Sequence, residues 1–365
     1  MSVKNRQTLS LLVFIGILAM VTVMPTAFVL EMPGRVLEVN GPDMDTEIIA
    51  IDGATTYPSD TALYMTTVAS SGGPSAGAST IEIVGGIINP RWQVLPVRYV
   101  YPQKITREEQ EEHAVLQMEG SQSSAEVVAL EKLGYTVTMT LTVSSVPEAS
   151  PAFGKLKEGD ILRSITNGVE TGEGNSYTSF ISVLNHTPAG TEVTVGFERD
   201  GVTQETVIVT GKNEGSEGEE LEGSRLGVGL SIGDVASDVD VGFSLEDVGG
   251  PSAGTMFALG IYDELTQGSL GGKTAIAGTG TISLSGEVGK IGGIEHKMRG
   301  ASDMGVKYFL APTANCDDVV GNVPEGMYVY AISTFNDAVH AVEAIGRNQT
   351  GDLVTCEAFA LKKSQ

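Results

Sequence analysis

The 365-residue sequence contains few of the residues that build metal or redox sites. It has two cysteines, Cys316 and Cys356, four scattered histidines, and no Cys-x-x-Cys pair or Cys/His cluster with metal-ligand spacing. Structural and catalytic zinc sites need several such ligands brought together, usually at recognisable spacings. The sequence therefore disfavours a metalloenzyme, and we predict no metal ion and no other cofactor.

Basic residues are scarce as well. Asp and Glu number 46 against 22 Lys and Arg, which gives a formal net charge of −24. Phosphate groups are repelled by such a chain rather than neutralised by it. We therefore expect no nucleic-acid partner.

A complete nucleotide-binding loop is also missing. The segment GSLGGKT (268–274) ends like a P-loop, but Gln267 stands where the GxxxxGK[ST] pattern requires its first glycine. We interpret the segment as a surface turn and predict no ATP binding. An alternative function is a nucleotide-dependent kinase on an α/β fold. GSLGGKT is the only feature of the sequence that supports it.

The N-terminus carries a long apolar run. Residues 7–30 contain no charged side chain, which matches the roughly 20 apolar residues that span a bilayer. We predict a transmembrane helix over 7–30, a cytoplasmic tail over 1–6 with Lys4 and Arg6, and everything beyond outside the cell membrane. A cleaved secretory signal is the alternative. In an oxidising compartment a Cys316–Cys356 disulfide could form, although spacing alone does not establish it.

The remaining chain predicts an α/β (α+β) multidomain protein. Residues 31–127 mix short strands with a charged helical stretch, ITREEQEEHAVLQ, whose charges we interpret as a solvated face. Residues 128–211 contain stretches in which β-branched and polar residues alternate, and they predict a β-rich unit with short helices. Residues 212–223 are rich in Gly and Glu and predict a linker. A last unit covers 224–346, and 347–365 form a C-terminal tail.

The segment SPAFGKLKEGDIL and the hairpin VTVGFERDGVTQETVIV resemble a PDZ domain of the kind found in bacterial proteases. The resemblance implies that Leu133, Gly134 and Tyr135 form a loop whose backbone amides capture the carboxylate of a chain terminus, while the peptide adds as a strand. The start of an ordinary core strand is the alternative for these three residues.

The six residues GGPSAG occur twice, at 72–77 and at 249–254. The second copy precedes TMFALGIYDELT, a largely apolar stretch that predicts a buried helix, so Ser252 falls where helix amides favour negative charge. Ser75 precedes ASTIEIVGGI, which we interpret as a strand, and Arg91 near it cannot deprotonate to act as a base. We therefore predict a turn around Ser75 and a reactive serine at Ser252.

A reactive serine needs a base. His296 and Lys297 are adjacent, and on a helix their side chains would diverge by about 100°. His296 and Lys297 therefore cannot both face Ser252. Lysine can act as a base when burial lowers its pKa, which makes a Ser–Lys dyad reasonable.

GGPSAGT followed by AGTGTISLSGEVGKIGGIEHK resembles the proteolytic domain of the Lon protease family (peptidase family S16), over residues 224–346. Lys297 follows Ser252 by 45 residues, in agreement with the family's spacing. The resemblance implies Ser252 as nucleophile, Lys297 as general base, Thr279 as a hydroxyl that orients the lysine, and the amides of Ser252 and Ala253 as oxyanion donors.

The chain departs from the family pattern at two positions near this site. Gly249 stands where many Lon enzymes have an acidic residue, and Thr281 stands where they have glutamate. The family's ATPase domain is not recognisable in the sequence. The resemblance also implies a homo-oligomer, with a six-membered ring as the family's form.

Together these features predict a membrane-anchored, ATP-independent serine endopeptidase that cleaves extracytoplasmic peptides or unfolded segments. The PDZ-like unit would recruit substrate or gate its access. The alternative is an exported PDZ scaffold that binds chain termini beside a proteolytically silent Lon-like domain.

Overall fold

A computed structural model describes residues 3–43, 46–101, 106–214, 220–245 and 248–363. The first elements are α1 (Val3–Val23), β1 (Phe28–Glu38), β2 (Pro42–Asp43), β3 (Thr46–Glu47), β4 (Ile49–Asp52), β5 (Ala62–Ser71), α2 (Thr80–Ile88), β6 (Gln93–Pro96), α3 (Val97–Val100) and α4 (Arg107–Lys132). They are followed by β7 (Thr138–Ser145), β8 (Ile161–Thr166), β9 (Thr171–Glu173), α5 (Tyr177–Asn185), β10 (Glu192–Arg199), β11 (Val202–Val209), β12 (Gly211–Glu214), β13 (Glu220–Arg225), β14 (Gly229–Ala236) and β15 (Asp240–Phe243). The last are α6 (Gly254–Glu264), β16 (Ala275–Gly278), β17 (Thr281–Ile282), β18 (Val288–Gly289), α7 (Ile294–Asp303), β19 (Tyr308–Pro312), α8 (Cys316–Val319), β20 (Tyr328–Ile332), α9 (Phe335–Gly346) and α10 (Cys356–Lys363).

The first sheet takes strands from both ends of the chain. Its order is β20-β19-β16-β5-β1-β6, with parallel pairing from β20 to β5 and antiparallel pairing from β5 to β6. Residues 31–127 were predicted as a separate region, and that prediction is wrong. The reason is long-range pairing: Ala62 lies beside Ala275, and Met65 beside Gly278.

The interior of this sheet explains its parallel strands. Leu63 and Met65 of β5 and Ile276 of β16 are almost completely buried, because helices cover the parallel part of the sheet. α6 is apolar almost all round and buried along nearly its whole length, as its sequence predicts. The first sheet and its helices form the unit that carries the predicted serine and lysine.

The second sheet lies between α4 and β15 in the chain. Its order is β11-β10-β8-β7-β14, with β9 beside β8 and α5 packed against it. β10 and β11 form the predicted hairpin, and Asp200 and Gly201 at its turn both have positive φ, as a tight type I′ turn requires. The chain is thus a mixed α/β multidomain protein in which the second sheet is an insertion.

Two predicted boundaries change in this region. The linker predicted over 212–223 is a hairpin instead, because β12 pairs with β13, while residues 215–219 lie outside the described residues. The last unit does not begin at 224, since β14 is a strand of the second sheet, paired with β7.

The N-terminal helix differs from its prediction. Within the described part of the chain, no helix combines the length and the apolar character that a membrane crossing needs. α1 includes residues 3–6 and ends at Val23, before Pro25, and Val29 and Leu30 of the predicted span lie buried in β1. The helix within the predicted span of 7–30 thus ends at Val23, and residues 28–30 of that span belong to β1.

Cys316 and Cys356 form a disulfide. It joins α8 to α10, and both cysteines are buried in a cluster with Ile294 and Met298 of α7. The tail predicted over 347–365 therefore packs on the first unit through α10, and residues 364–365 lie outside the described ones.

Candidate active site

Ser252 lies in the loop that enters α6. Ala253 is the residue that caps the helix, and Gly254 begins it. The buried helix behind the loop, with Met256, Phe257 and Leu259 almost fully buried, fixes the position of this helix start. A helix N-terminus carries partial positive charge, which favours an anion beside Ser252.

Lys297 comes from the first turn of α7 and meets Ser252. Its Nζ lies 2.9 Å from Ser252 Oγ and 2.5 Å from the carbonyl oxygen of Thr66 in β5. The lysine is 3% exposed, and burial lowers its pKa from 10.5 to about 7. The structure thus brings together the serine and the lysine that the sequence predicts, and the lysine is poised to lose its proton near neutral pH.

A glycine allows α7 to approach β5 so closely. Gly293, in the IGG turn, caps α7 with φ +65°, and a Cβ there would come within 2.6 Å of Val68 Cγ2. A residue with a side chain would force α7 away from the strand. The close approach of α7 to β5 therefore favours a glycine at position 293.

His296 does not face Ser252. Its ring is buried and lines a different cavity, beside Gln93 and Leu95 of β6. Burial also lowers its pKa. The divergence of adjacent side chains on a helix, argued from the sequence, agrees with this placement.

Thr279 is fully buried, but its hydrogen bond differs from the predicted one. Its Oγ1 donates to the carbonyl oxygen of Ser252 at 3.0 Å, and the N–H of Gly280 donates to the same oxygen at 2.9 Å. The predicted contact with Lys297 is replaced by this one. Because a peptide unit is planar, fixing the Ser252 carbonyl also fixes the direction of the Ala253 N–H. Thr279 therefore orients a candidate oxyanion donor rather than the lysine.

The two candidate oxyanion donors are available. Among the described residues, the amides of Ser252 and Ala253 donate no hydrogen bond to a backbone carbonyl. They open onto a cleft of about 420 Å³ whose apolar lining includes Met65, Val68 and Val248. The cleft is large enough for peptide side chains and is mainly apolar next to the serine.

Met118 of α4 also lines this cleft. Sequence reasoning assigned α4 only a solvated face, and its buried face was missed. The signal was present, because Ala114, Met118, Ser121 and Ala125 recur at helical spacing among polar neighbours.

Ser75 lies in a turn. The N–H of Gly73 donates to the carbonyl of Ala76 at 2.8 Å, and Gly72 has φ +90°. The segment that follows is helix α2 rather than the predicted strand, because Ser79 and Glu82 form a capping box. Within the described residues the Ser75 hydroxyl makes no hydrogen bond to a basic side chain.

The loop predicted to bind a carboxylate does not have free amides. Leu133 caps α4, and the N–H groups of Gly134 and Tyr135 donate to the carbonyls of Glu131 and Leu130, each at 3.0 Å. These bonds are the usual ending of a helix at a glycine with positive φ. The prediction that Leu133, Gly134 and Tyr135 capture a chain terminus is therefore wrong.

A different loop of the second sheet has the required features. Leu226, Gly227 and Val228 precede β14, and in the described structure their amides donate to no backbone carbonyl. β14 is an edge strand of its sheet. Between this strand and α5 lies a groove of about 540 Å³. The groove is lined by the apolar side chains Leu162, Phe180, Ile181, Leu184, Leu226 and Leu230. The sequence signal was RLGVGLSIG, a glycine loop followed by an alternating strand.

Comparison with known proteins finds a family match within the unit that carries Ser252 and Lys297. Residues 245–343 match the family described as the Lon protease (S16) C-terminal proteolytic domain. A Lon protease of Buchnera aphidicola subsp. Schizaphis graminum is 34% identical over 93 residues, 25% of this chain and 12% of that protein. Lon protease 2 of Bacillus subtilis is 29% identical over 115 residues, 31% of this chain and 20% of that protein. The chain thus spans a fifth or less of these relatives' length, and residues 245–343 are a Lon-type proteolytic domain.

Two solved structures are similar to part of this chain. The PDZ domain of an SdrC-like protein from Listeria innocua is 23% identical, with a TM-score of 0.21, over 25% of this chain and 92% of that one. The PDZ domain of an SdrC-like protein from Listeria monocytogenes is 21% identical, with a TM-score of 0.21, over 25% of this chain and 85% of that one.

Proposed function

From the Lon-type proteolytic domain we propose that the protein is a serine endopeptidase in which Ser252 is the nucleophile and Lys297 the general base. The observation that carries the proposal is the 2.9 Å contact between Ser252 Oγ and a lysine whose pKa burial lowers to about 7. A nucleophile within hydrogen-bond reach of a base that is neutral at working pH meets the geometric and the proton-transfer requirement together.

The reaction begins with neutral Lys297. Its Nζ accepts the proton of Ser252 Oγ while the oxygen attacks the carbonyl carbon of the substrate peptide. The oxyanion that forms lies at the amides of Ser252 and Ala253, and the helix start adds favourable potential there. The Lys297 ammonium then protonates the leaving amine, and the peptide bond breaks to leave an ester on Ser252.

Deacylation uses the same groups. Lys297, neutral again, removes a proton from a water molecule, and the resulting hydroxide attacks the ester carbonyl. Ser252 Oγ leaves and regains its proton from Lys297. The carbonyl of Thr66 holds the lysine in place through both halves, at 2.5 Å.

We propose that the reaction is independent of ATP. The amides of the GSLGGKT segment already bind side chains of the protein: Leu270 N–H donates to the Asp263 carboxylate and Gly271 N–H to Thr61 Oγ1, both at 2.8 Å. The negative charge of the Asp263 carboxylate at this position would repel a bound phosphate. Substrates would then be peptides or segments that are already extended.

We also propose that the groove between β14 and α5 recruits such substrates by their C-termini. Among the described residues the amides at Leu226–Val228 donate to no backbone carbonyl and suit a carboxylate, the edge of β14 suits an added strand, and the apolar side chains within the groove suit those of a peptide. The same groove is what the alternative function, a terminus-binding scaffold without proteolysis, would use.

Labelling with a fluorophosphonate probe tests the nucleophile. We expect the probe to label Ser252 in the wild-type chain, and Ser252→Ala to lose labelling and at least about a thousandfold in kcat/KM on a peptide substrate. Ser75→Ala is the matched control and should label normally. C-terminal peptide binding without labelling or turnover would instead establish the scaffold function.

A further inference from the structure

We infer that Ser121 of α4 is a positioning residue that holds the Ser252 loop in its reactive geometry. This inference rests on the proposed peptidase function and adds a residue outside the 245–343 family match. α4 belongs to the part of the chain that sequence reasoning left without a role in the site.

The first contact is a hydrogen bond to the residue before the nucleophile. Ser121 Oγ donates to the carbonyl oxygen of Pro251 at 3.0 Å, and Ser121 is 5% exposed. The peptide unit that carries this carbonyl also carries the N–H of Ser252. Because the unit is planar and trans, fixing the carbonyl also fixes the direction of that N–H, one of the two candidate oxyanion donors.

The second contact lies two turns earlier on the same face of α4. The carbonyl of Ala114 accepts the N–H of Gly250 at 2.9 Å. Together the two bonds fasten the loop on both sides of Pro251. Gly250 has φ +89°, a conformation that glycine adopts readily, and the bond to Ala114 adds a constraint on its backbone.

The packing leaves the loop no room to shift toward α4. A Cβ at Gly254 would come within 2.6 Å of Ser121 Oγ, and a Cβ at Gly249 within 2.8 Å of Ala114 Cβ. Ser121 therefore contacts the loop through Gly254 and one hydrogen bond, and Ala114 contacts it through Gly249. On the other side of Ser252, Thr279 and Gly280 bind the Ser252 carbonyl. Each of the two oxyanion amides thus has its own anchor, and Ser121 provides the first.

Ser121→Ala tests the inference. We expect kcat on a peptide to fall about tenfold, less than the loss of a whole oxyanion donor, with KM nearly unchanged because the cleft is intact. The pH midpoint of the rate should stay at its wild-type value, because Lys297 is not touched. Hydrogen–deuterium exchange of residues 248–254 should become faster. Ser123→Ala, at a half-buried serine of the same helix, is the matched control. It should change neither kcat nor the exchange rate of residues 248–254.

Two results would overturn the inference. Wild-type exchange rates at residues 248–254 in Ser121→Ala would show that the hydroxyl does not hold the loop, and this readout does not need activity. Faster exchange spread evenly over α4 and α6, with a lower unfolding temperature and unchanged kcat, would show a structural role only. Failure of the proposed function is separate, because it appears as absence of labelling in the wild-type chain.

Discussion

In the proposed mechanism Lys297 can act as a base because its surroundings disfavour its charge. Burial alone lowers its pKa to about 7, and the backbone carbonyl of Thr66 gives the amine a fixed direction. A lysine in water stays protonated at neutral pH and cannot accept the serine proton. The residue's position in the fold therefore sets its reactivity.

The pH dependence of cleavage should report this lysine. We expect kcat/KM to rise with pH through a midpoint near 7 and then to level off, because only the neutral amine accepts the Ser252 proton. The measurement is kcat/KM on one peptide from about pH 5 to about pH 9. A profile that is flat through pH 7 would contradict the role of Lys297.

The same burial should cost stability. In the unfolded chain Lys297 keeps its proton up to its ordinary pKa of 10.5, whereas in the folded chain it loses the proton near 7. The unfolded state therefore binds more protons between these values, and the free energy of unfolding rises with pH across this window. We expect Lys297→Met to abolish activity and to raise the free energy of unfolding by a few kcal/mol at neutral pH, less about 1 kcal/mol for the unpaired Thr66 carbonyl.

Denaturant unfolding at several pH values checks this expectation. Glu126 and Glu264, whose pKa values burial raises to about 7, act in a different window: they stabilise the folded state below 4.5 and lose that stability as pH rises to 7. A slope above pH 7 that persists unchanged in Lys297→Met would argue against the assignment to Lys297.

At the scale of elements, local sequence signals predicted where helices form better than they predicted what those helices pack against. The apolar pattern after Ser252 predicted α6, and the charged stretch predicted α4. α2 was missed because β-branched residues favour strands locally, while the Ser79–Glu82 capping box decided for a helix. The Ser252–Lys297 pair was predictable because both residues lie in recognisable motifs. Thr66 acts through its backbone, which no sequence motif marks.

The groove beside β14 gives a prediction at this scale. Gly227 has φ +72°, and a Cβ there would come within 2.9 Å of Ser150 Cβ, so Gly227→Ala should displace the loop and weaken binding of C-terminal peptides at least about tenfold. Fluorescence anisotropy with a labelled peptide measures this. Gly168→Ala is the matched control, because Gly168 also has positive φ but open space around it.

The chemistry of the peptide terminus provides a further check on the groove. An amidated version of the peptide should bind weakly to the wild-type chain, because the loop amides lose their anionic partner. Equal binding of the acid and the amide would exclude carboxylate capture at Leu226–Val228.

At the scale of the whole molecule, the domain order along the chain differs from the order in space. β1, β5 and β6 complete a sheet whose other strands follow the second unit, so the predicted unit over 224–346 is only part of a folded domain. Sequence periodicity describes one segment at a time and does not encode which distant strands pair. The sequence therefore revealed the resemblances to two kinds of domain, but it did not reveal that one domain is inserted into the other.

A fragment experiment tests this organisation. We expect residues 224–365 alone to lack a cooperative unfolding transition, because β16 would lose β5 and the buried side chains Leu63 and Met65 would be missing from the core. Residues 28–365, which lack α1 but keep every strand of both sheets, are the control and should unfold cooperatively. Circular dichroism during thermal unfolding distinguishes the two. Cooperative unfolding of 224–365 would show that the first sheet does not depend on β5.

The pairing of β5 with β16 also affects the order of events during synthesis. The ribosome makes Ser252 before Lys297, and the carbonyl of Thr66, which holds the lysine, waits in a strand that cannot pair with β16 until residues 275–278 exist. A growing chain therefore has the nucleophile without its base for 45 residues. The proposed dyad is complete only once α7 has been synthesised and has packed on β5.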